Sequence, residues 1–355
     1  MAVIDADTHV DENEDTWAYL AESEKKYMPV TVQGVEGNAL AAGYHRYWLI
    51  DGALVVRRLR DDKRTGTTQE TRELKSMAAR IKHMDELGVD IHTLYPTLFL
   101  SQPSGKPEVE AALCRSYNRW LADKCKEANG RIRWLAVLPT LDMNATLAEI
   151  RFARDNGACG LFKRGIEAGL RQAGDEYFDP LYKAASDANL AVCMHLGSGD
   201  PNVSDILPVA NGFWFKTLPL LDACNQLVMK NTPTRFPDLR IGFIEAGAMW
   251  VPYVMSELKS RHERMAWFST FKFSDDLFRE SRFFVACQTH EDIPYLLKCG
   301  LEDCLVIGSD YTHADMTAEI NALDKIKKRG ESGVLDRTVM RKMLEDNPAR
   351  LYGIQ

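Results

Sequence analysis

"VIDADTHVDENED", residues 3–15, is a short apolar lead-in followed by Asp5, Asp7, His9, Asp11 and Glu12. Alternate residues of a strand share a face, so this layout describes a buried strand whose C-terminal end carries an acid and a histidine side by side. Seven further stretches repeat it: "GVDIHTLYPT", "RIRWLAVLPT", "GACGLFKRG", "LAVCMHLGSG", "LRIGFIEAGA", "RFFVACQTH" and "CLVIGSDYTH". Most are near-continuously apolar, as parallel strands covered on both faces must be, and each ends in polar or glycine-rich residues.

Helical stretches lie between them: "ELKSMAARIKHMDEL", "EVEAALCRSYNRWLADKCKEA", "ATLAEIRFARDN", "FDPLYKAASDAN", a long segment after Ile206, "VPYVMSELKSRHERM", "DIPYLLKCG" and "TAEINALDKIKKR". A strand followed by a helix, eight times over, predicts an α/β fold of the (β/α)8 TIM-barrel type, a single domain over residues 1–355. In such a barrel the working side chains sit at the C-terminal ends of the strands, which is where the polar residues fall. Residues 12–73 stand outside the repeat, and "GYHRYWLIDGALVVRRLR" within them predicts a hairpin turning at Asp51-Gly52. An insertion directly after a barrel strand lies over the mouth, so a lid or a subunit contact is expected. The tail "VMRKMLEDNPARLYGIQ" predicts a last helix that stops before Pro348 and a short docked end.

Hydrophobic residues at 45% provide a sizeable core, and a net charge of −7 speaks against a nucleic-acid groove or an anionic membrane as partner. A small-molecule substrate is expected instead. No apolar run reaches the roughly 20 residues that span a bilayer, and the N-terminus lacks a signal-peptide layout, so a cytoplasmic protein is expected. The eight cysteines form no CxxC pair, and several sit inside apolar runs, which predicts buried thiols and no disulfides.

Placed on their strands, Asp7 and His9 face the barrel interior from strand 1, His195 follows "LAVCM" on strand 5, and Asp310 follows "LVIGS" on strand 8. Two acids and two histidines converging on one mouth make an oxygen-and-nitrogen set suited to one divalent metal ion with a position left for water. Strand 6 adds Glu245. Lys163 and Arg164 end strand 4 and suit a substrate carboxylate or phenolate, although adjacent strand residues cannot both face inward. Trp250, His290 and His313 complete the expected substrate pocket, whereas Trp214 and Phe215 are expected in the core.

These stretches carry a family resemblance. "IDADTHV", "MHLGSG", "FIEAGAMWVP", "IGSDYTH" and "NPARLYG" span nearly the whole chain in order, and the chain resembles the amidohydrolase superfamily. Within it, the likeness is to the group of metal-dependent hydrolases and non-oxidative decarboxylases acting on aminocarboxymuconate semialdehyde and hydroxybenzoates. The resemblance implies a mononuclear metal held by Asp7, His9, His195 and Asp310. Zinc is the first expectation, with manganese or iron as alternatives. Two departures matter. Asp-x-His replaces the more common His-x-His on strand 1 and adds negative charge, which favours a harder metal such as Mn²⁺. On strand 6, Glu245 stands where the decarboxylases usually carry histidine. Some superfamily members carry a carbamylated lysine at the end of strand 4, which would make Lys163 a bridge between two metals.

A metal-bound water attacked onto a small cyclic or aromatic amide, ester or lactone is the first expected reaction, with Asp310 as the preferred base and Glu245 as the second choice. The alternative is non-oxidative decarboxylation of an aromatic or enoic acid, ranked second because an ionised Glu245 is a poor proton donor unless burial raises its pKa. A barrel without activity, serving as a binding subunit, is the third reading. A homodimer or higher homo-oligomer is the expected assembly, two-fold homo-oligomers being the commonest.

Overall fold

The computed structural model describes residues 2–33, 46–57, 60–167, 169–197, 213–265, 267 and 270–354, with residues 213–216 described by their backbone. Every apolar run with a polar end is a strand: β1 (Ile4–His9), β2 (Ile91–Tyr95), β3 (Ile132–Val137), β4 (Gly160–Arg164), β5 (Ala191–His195), β6 (Ile241–Ile244), β7 (Phe283–Cys287) and β8 (Leu305–Ile307). They pair in parallel and in chain order as one eight-stranded sheet. A bridge between Thr8 and Tyr311 brings the last strand back to the first. The protein is therefore a TIM barrel.

Eight helices follow these strands in turn: α1 (Met77–Leu87), α2 (Pro107–Lys126), α3 (Met143–Asp155), α4 (Asp179–Asp187), α5 (Phe213–Met229), α6 (Trp250–Arg264), α7 (Ile293–Lys298) and α8 (Ala322–Glu331). Local signals set their ends. Ser76 accepts a hydrogen bond from the Ala79 N–H to start α1, Asp142 does the same for α3, and prolines open α2, α4 and α7, where a missing N–H costs nothing. Two apolar layers result. Tyr95, Phe162 and Cys193 fill the barrel beneath its mouth, and residues such as Phe243, Trp250, Phe278 and Phe283 pack between strands and helices.

The insertion after β1 forms a three-stranded antiparallel sheet, Val30–Gln33, Arg46–Ile50 and Ala53–Val56. The hairpin turns at Asp51 and Gly52, both with positive φ (48° and 82°), as a two-residue turn that matches strand twist requires. Trp48 and Ile50 anchor it in the core. The tail corrects the sequence reading. Pro348 does not end a helix; after Arg337–Arg341 the chain widens into a π-helical turn, Lys342–Asp346, and Pro348 sits in the first turn of a further helix, Asn347–Tyr352. The wide turn removes the clash that a proline ring makes inside a regular helix. That last helix docks under the barrel, where the Tyr352 hydroxyl donates to Ala6 O at 2.6 Å and meets Tyr95 Oη at 2.7 Å.

All eight cysteines are free thiols, and only Cys299 is not buried. Among the described residues no helix is long and apolar enough to cross a membrane.

Candidate metal centre

Four strand ends deliver the cluster. On β1 the pairing with β2 shifts register between Asp5 and Thr8. Asp7 and His9 turn into the mouth while Asp5 turns to Ser309, accepting from its backbone N–H at 3.0 Å and from its hydroxyl at 2.5 Å. His9 donates its Nδ1–H to Pro96 O at 2.8 Å, and His195, at the end of β5, donates its Nδ1–H to Leu196 O at 3.0 Å. With that proton placed, each ring turns its Nε2 toward the others. Glu245 follows β6 with φ +70°, and Asp310 follows β8 with φ +52°. Such left-handed backbone in residues with a side chain costs of order 1–3 kcal/mol and is held where the surroundings demand it. Here it aims two carboxyl groups inward.

The atoms converge. His9 Nε2 lies 3.4 Å from Asp7 Oδ1 and 3.3 Å from Asp310 Oδ1; His195 Nε2 lies 3.5 Å from Asp7 Oδ1 and 3.1 Å from Glu245 Oε2. Asp7, His9, His195 and Glu245 form one group of possible ligands, and His9, Glu245, Asp310 and His313 a second, each within 4.8 Å. All are buried. Five of their atoms, Asp7 Oδ1, His9 Nε2, His195 Nε2, Glu245 Oε2 and Asp310 Oδ1, have no hydrogen-bond partner outside the cluster. A folded protein leaves few buried polar atoms so, and five gathered together call for an explanation. Ligands about 2.0–2.1 Å from a tetrahedral ion stand roughly 3.3 Å apart, the spacing found here. The residues present fit a divalent metal ion.

The charges are strongly coupled. Burial pushes Asp7 up, but hydrogen bonds and charge from His195 and His9 outweigh it and hold Asp7 at about 2. Burial disfavours the charged form of His195, yet Glu245 and Asp7 raise it to about 8. Burial raises Glu245, against the pull of His195, and raises Asp310 well above the usual carboxylate range, with Glu245 and Asp7 adding repulsion. The metal-free cluster thus retains protons that a cation would displace.

His313 joins the cluster directly. Its Nδ1 is 2.6 Å from Asp310 Oδ1, its Nε2 is 3.2 Å from Thr97 Oγ1, and its ring stacks on His9 at 4.0 Å. The sequence reading missed Thr317, whose hydroxyl lies 2.7 Å from Glu245 Oε1, 3.3 Å from Asp310 Oδ2 and 2.5 Å from Asp315 Oδ1. It also missed Glu12, buried beside Thr97 and Leu98, whose backbone N–H groups it accepts at 3.0 and 2.9 Å. Both follow barrel strands, so the rule that flagged Asp310 applied to them too. A cavity of about 390 Å³ opens onto Asp310, His313 and Asp315, with Lys63 and Arg64 of the insertion at its rim.

Other expected pocket residues lie elsewhere. Lys163 points out of the barrel: its ammonium donates to Arg164 O at 3.0 Å, sits 4.1 Å from the Phe178 ring centre, and belongs to neither ligand group. Arg164 spends its guanidinium on Glu167 (2.6 and 2.9 Å) and on the carbonyls of Phe99 and Ser101. Trp250 packs behind β6 against Phe243 and Phe278, its indole N–H donating to Gly247 O. Those placements correct the substrate-pocket expectation for Lys163 and Trp250: an alternating strand turns Lys163 away from the interior whenever Phe162 faces it, and Trp250 begins a helix that lies outside the barrel. His290 is exposed beside a separate cavity of about 210 Å³. The side chains of Trp214 and Phe215 lie outside the described residues.

A family profile described as amidohydrolase matches residues 4–354. The chain belongs to the amidohydrolase family. Solved structures agree on the fold. An amidohydrolase from Mycobacterium avium subsp. paratuberculosis superposes with a TM-score of 0.79 at 19% identity, covering 100% of this chain and 98% of that one. The 5-carboxyvanillate decarboxylase of Sphingomonas paucimobilis gives 0.73 at 16% identity, covering 100% and 99%. The 5-carboxyvanillate decarboxylase of Novosphingobium aromaticivorans, complexed with manganese and 4-hydroxy-3-methoxy-5-nitrobenzoic acid, gives 0.63 at 19%, covering 81% and 82%. No curated protein sequence matches the chain. Family and cluster together make this amidohydrolase-family protein a metal-dependent enzyme.

Proposed function

We propose that the chain catalyses non-oxidative decarboxylation of an aromatic or enoic hydroxy acid, using one divalent metal ion held by Asp7, His9, His195 and Asp310 with Glu245 beside them. The observation that carries this reading is the convergence of buried ligand atoms from Asp7, His9, His195, Glu245 and Asp310, which fits an ion able to chelate a carboxylate with its neighbouring hydroxyl. Decarboxylation needs a proton for the carbon that loses CO₂, and a carboxyl group beside the ion can relay one. Burial also raises Glu245, which lessens the objection that it would be ionised. Two of the structural relatives described above are named as decarboxylases, in keeping with this reading.

When bound, the ion would supply positive charge to chelate the substrate carboxylate with its neighbouring hydroxyl and to stabilise the electron pair left on carbon. Asp310, ionised while it holds the ion, would take the proton that the substrate hydroxyl loses on chelation and pass it to that carbon as the C–CO₂ bond breaks, the bonding pair staying on the carbon and CO₂ leaving. His313, 2.6 Å from Asp310, is placed to return a proton to it. Thr317 orients Glu245, and Lys63 and Arg64 at the cavity rim favour an anionic substrate. With several acids in the set, manganese is the proposed metal.

The test is turnover of a panel of hydroxybenzoic and related enoic acids by manganese-loaded protein, with CO₂ and product measured. CO₂ release that falls by about 10²–10⁴ in Asp310→Asn supports the reading. Hydrolysis of amides, esters or lactones without CO₂ release would replace it with the hydrolase reading, which the 3.1 Å contact of Glu245 with His195 favours as a base for water.

A further inference from the structure

Behind the metal centre, the barrel closes in an unusual way. Elsewhere adjacent strands share three to five registered pairs, whereas β8 returns to β1 through the single Thr8–Tyr311 bridge and the hydrogen bonds His9 N–H to Tyr311 O and Asp310 N–H to Asp7 O, both 2.9 Å. Three of the ligand residues, Asp7, His9 and Asp310, sit on the two sides of this weakly laddered seam. Their spacing across it cannot be set by the ladder alone.

Arg80 of α1 spans the seam from outside. It is completely buried, and among the described residues no carboxylate pairs with it. Its guanidinium lies 3.6 Å from the Tyr311 ring centre, donates to His9 O at 3.3 Å, to Thr71 O at 3.3 Å, and to His92 Nδ1 from Nη2 at 3.0 Å and Nε at 3.2 Å. It therefore holds the carbonyl of one ligand residue and the ring of the residue that follows another. Around it, Tyr311 Oη meets His83 Nδ1 at 2.7 Å and donates to Thr71 Oγ1 at 3.1 Å, while Asp5 clamps Ser309 from the other strand. Because His92 Nδ1 accepts from Arg80, its proton lies on Nε2, toward Asp5 at 3.9 Å. An unpaired guanidinium is costly to bury, and hydrogen bonds to three elements together with a ring face offset that cost only if all are kept in place.

We propose that Arg80 is a positioning residue that sets the distance between the β1 ligands and Asp310, and thereby the affinity of the metal centre, without touching metal or substrate. The inference rests on the metal-centre reading. The experiment separates the two. Wild-type protein stripped with chelator is titrated with Mn²⁺, and Kd and the electron paramagnetic resonance spectrum of the bound ion are compared with Arg80→Met, Arg80→Lys and a control, Arg119→Met, which breaks the half-buried Arg119–Glu149 pair away from the seam. Circular dichroism and thermal melts report folding.

The expected result is a Kd about 10- to 100-fold weaker and an altered spectrum in Arg80→Met. Arg80→Lys, which keeps a donor for His9 O but loses the planar fork, falls between it and wild type. Arg119→Met lowers the melting temperature and leaves Kd and spectrum alone. A folded Arg80→Met with wild-type Kd and spectrum overturns the proposal, as does a wild-type Kd in Arg80→Lys should Arg80→Met not fold. If wild type takes up no metal, the metal-centre reading itself fails.

Discussion

Whether a buried histidine serves as a ligand or as a core group is decided by its two nitrogens. His9 and His195 each give Nδ1–H to a backbone carbonyl and leave Nε2 facing the cluster. His92, equally buried, uses Nδ1 to accept from Arg80 and faces Asp5 instead. Sequence could tell these apart by position on the strand: His9 and His195 end their strands, whereas His92 is near the start of β2. Asp7, His9, His195, Glu245 and Asp310 were legible in the same way. Lys163 was not, because which of two adjacent strand-end residues faces inward depends on the barrel's register. Removing one proposed ligand should be decisive. His195→Ala is expected to lose the roughly one equivalent of divalent metal that wild-type protein binds, measured by plasma mass spectrometry on protein purified without chelator, since a site of three or four ligands rarely survives loss of a nitrogen.

At the scale of elements, close approach at the seam makes its own demand on sequence. A Cβ added at Gly308 would stand 2.3 Å from Asp7 Cβ, inside any tolerable contact. Gly308→Ala is therefore expected to push β8 from β1, cost about 1–3 kcal/mol of stability as overpacking does, and weaken metal uptake as well, read from a denaturant melt and a Mn²⁺ titration. The same substitution at Gly52, which has open space around it, should cost stability through its positive φ and leave the metal untouched. The Asp51-Gly52 turn was legible because it is a local signal. The π-helical turn before Pro348 was not, since the proline pattern that ends most helices here only begins another.

For the whole molecule, one buried acid outside the ligand set links pH to stability. Burial pushes Glu12 from its ordinary 4.5 to about 8, its backbone hydrogen bonds notwithstanding. Between those values the folded protein holds a proton that the unfolded chain has lost, so stability falls as pH rises through that window. Wild-type protein should lose melting temperature relative to Glu12→Gln between about pH 5 and 8; parallel curves would show that Glu12 does not titrate in this range. Metal acts in the opposite sense. An ion that binds only the folded state at about 1,000 times its Kd adds roughly 4 kcal/mol, so Mn²⁺ should raise the melting temperature and chelator lower it, with a smaller shift in His195→Ala.

The sequence by itself determined the barrel and the identity of most cluster residues. Hydrophobic period, turn residues and polar strand ends are local, and eight repeats of one local pattern, with the working residues gathered at one end, point to a closed barrel. Only the tertiary structure decided that Lys163 and Trp250 face away from the mouth, that Glu12 binds the Thr97 and Leu98 backbone while Thr317 meets Glu245 and Asp310, and that a buried arginine spans the seam. Those outcomes depend on strand register, on the shift after Asp5 and on which loops meet across the closed barrel. Such contacts join residues far apart in the chain, and no local pattern encodes the distance between them.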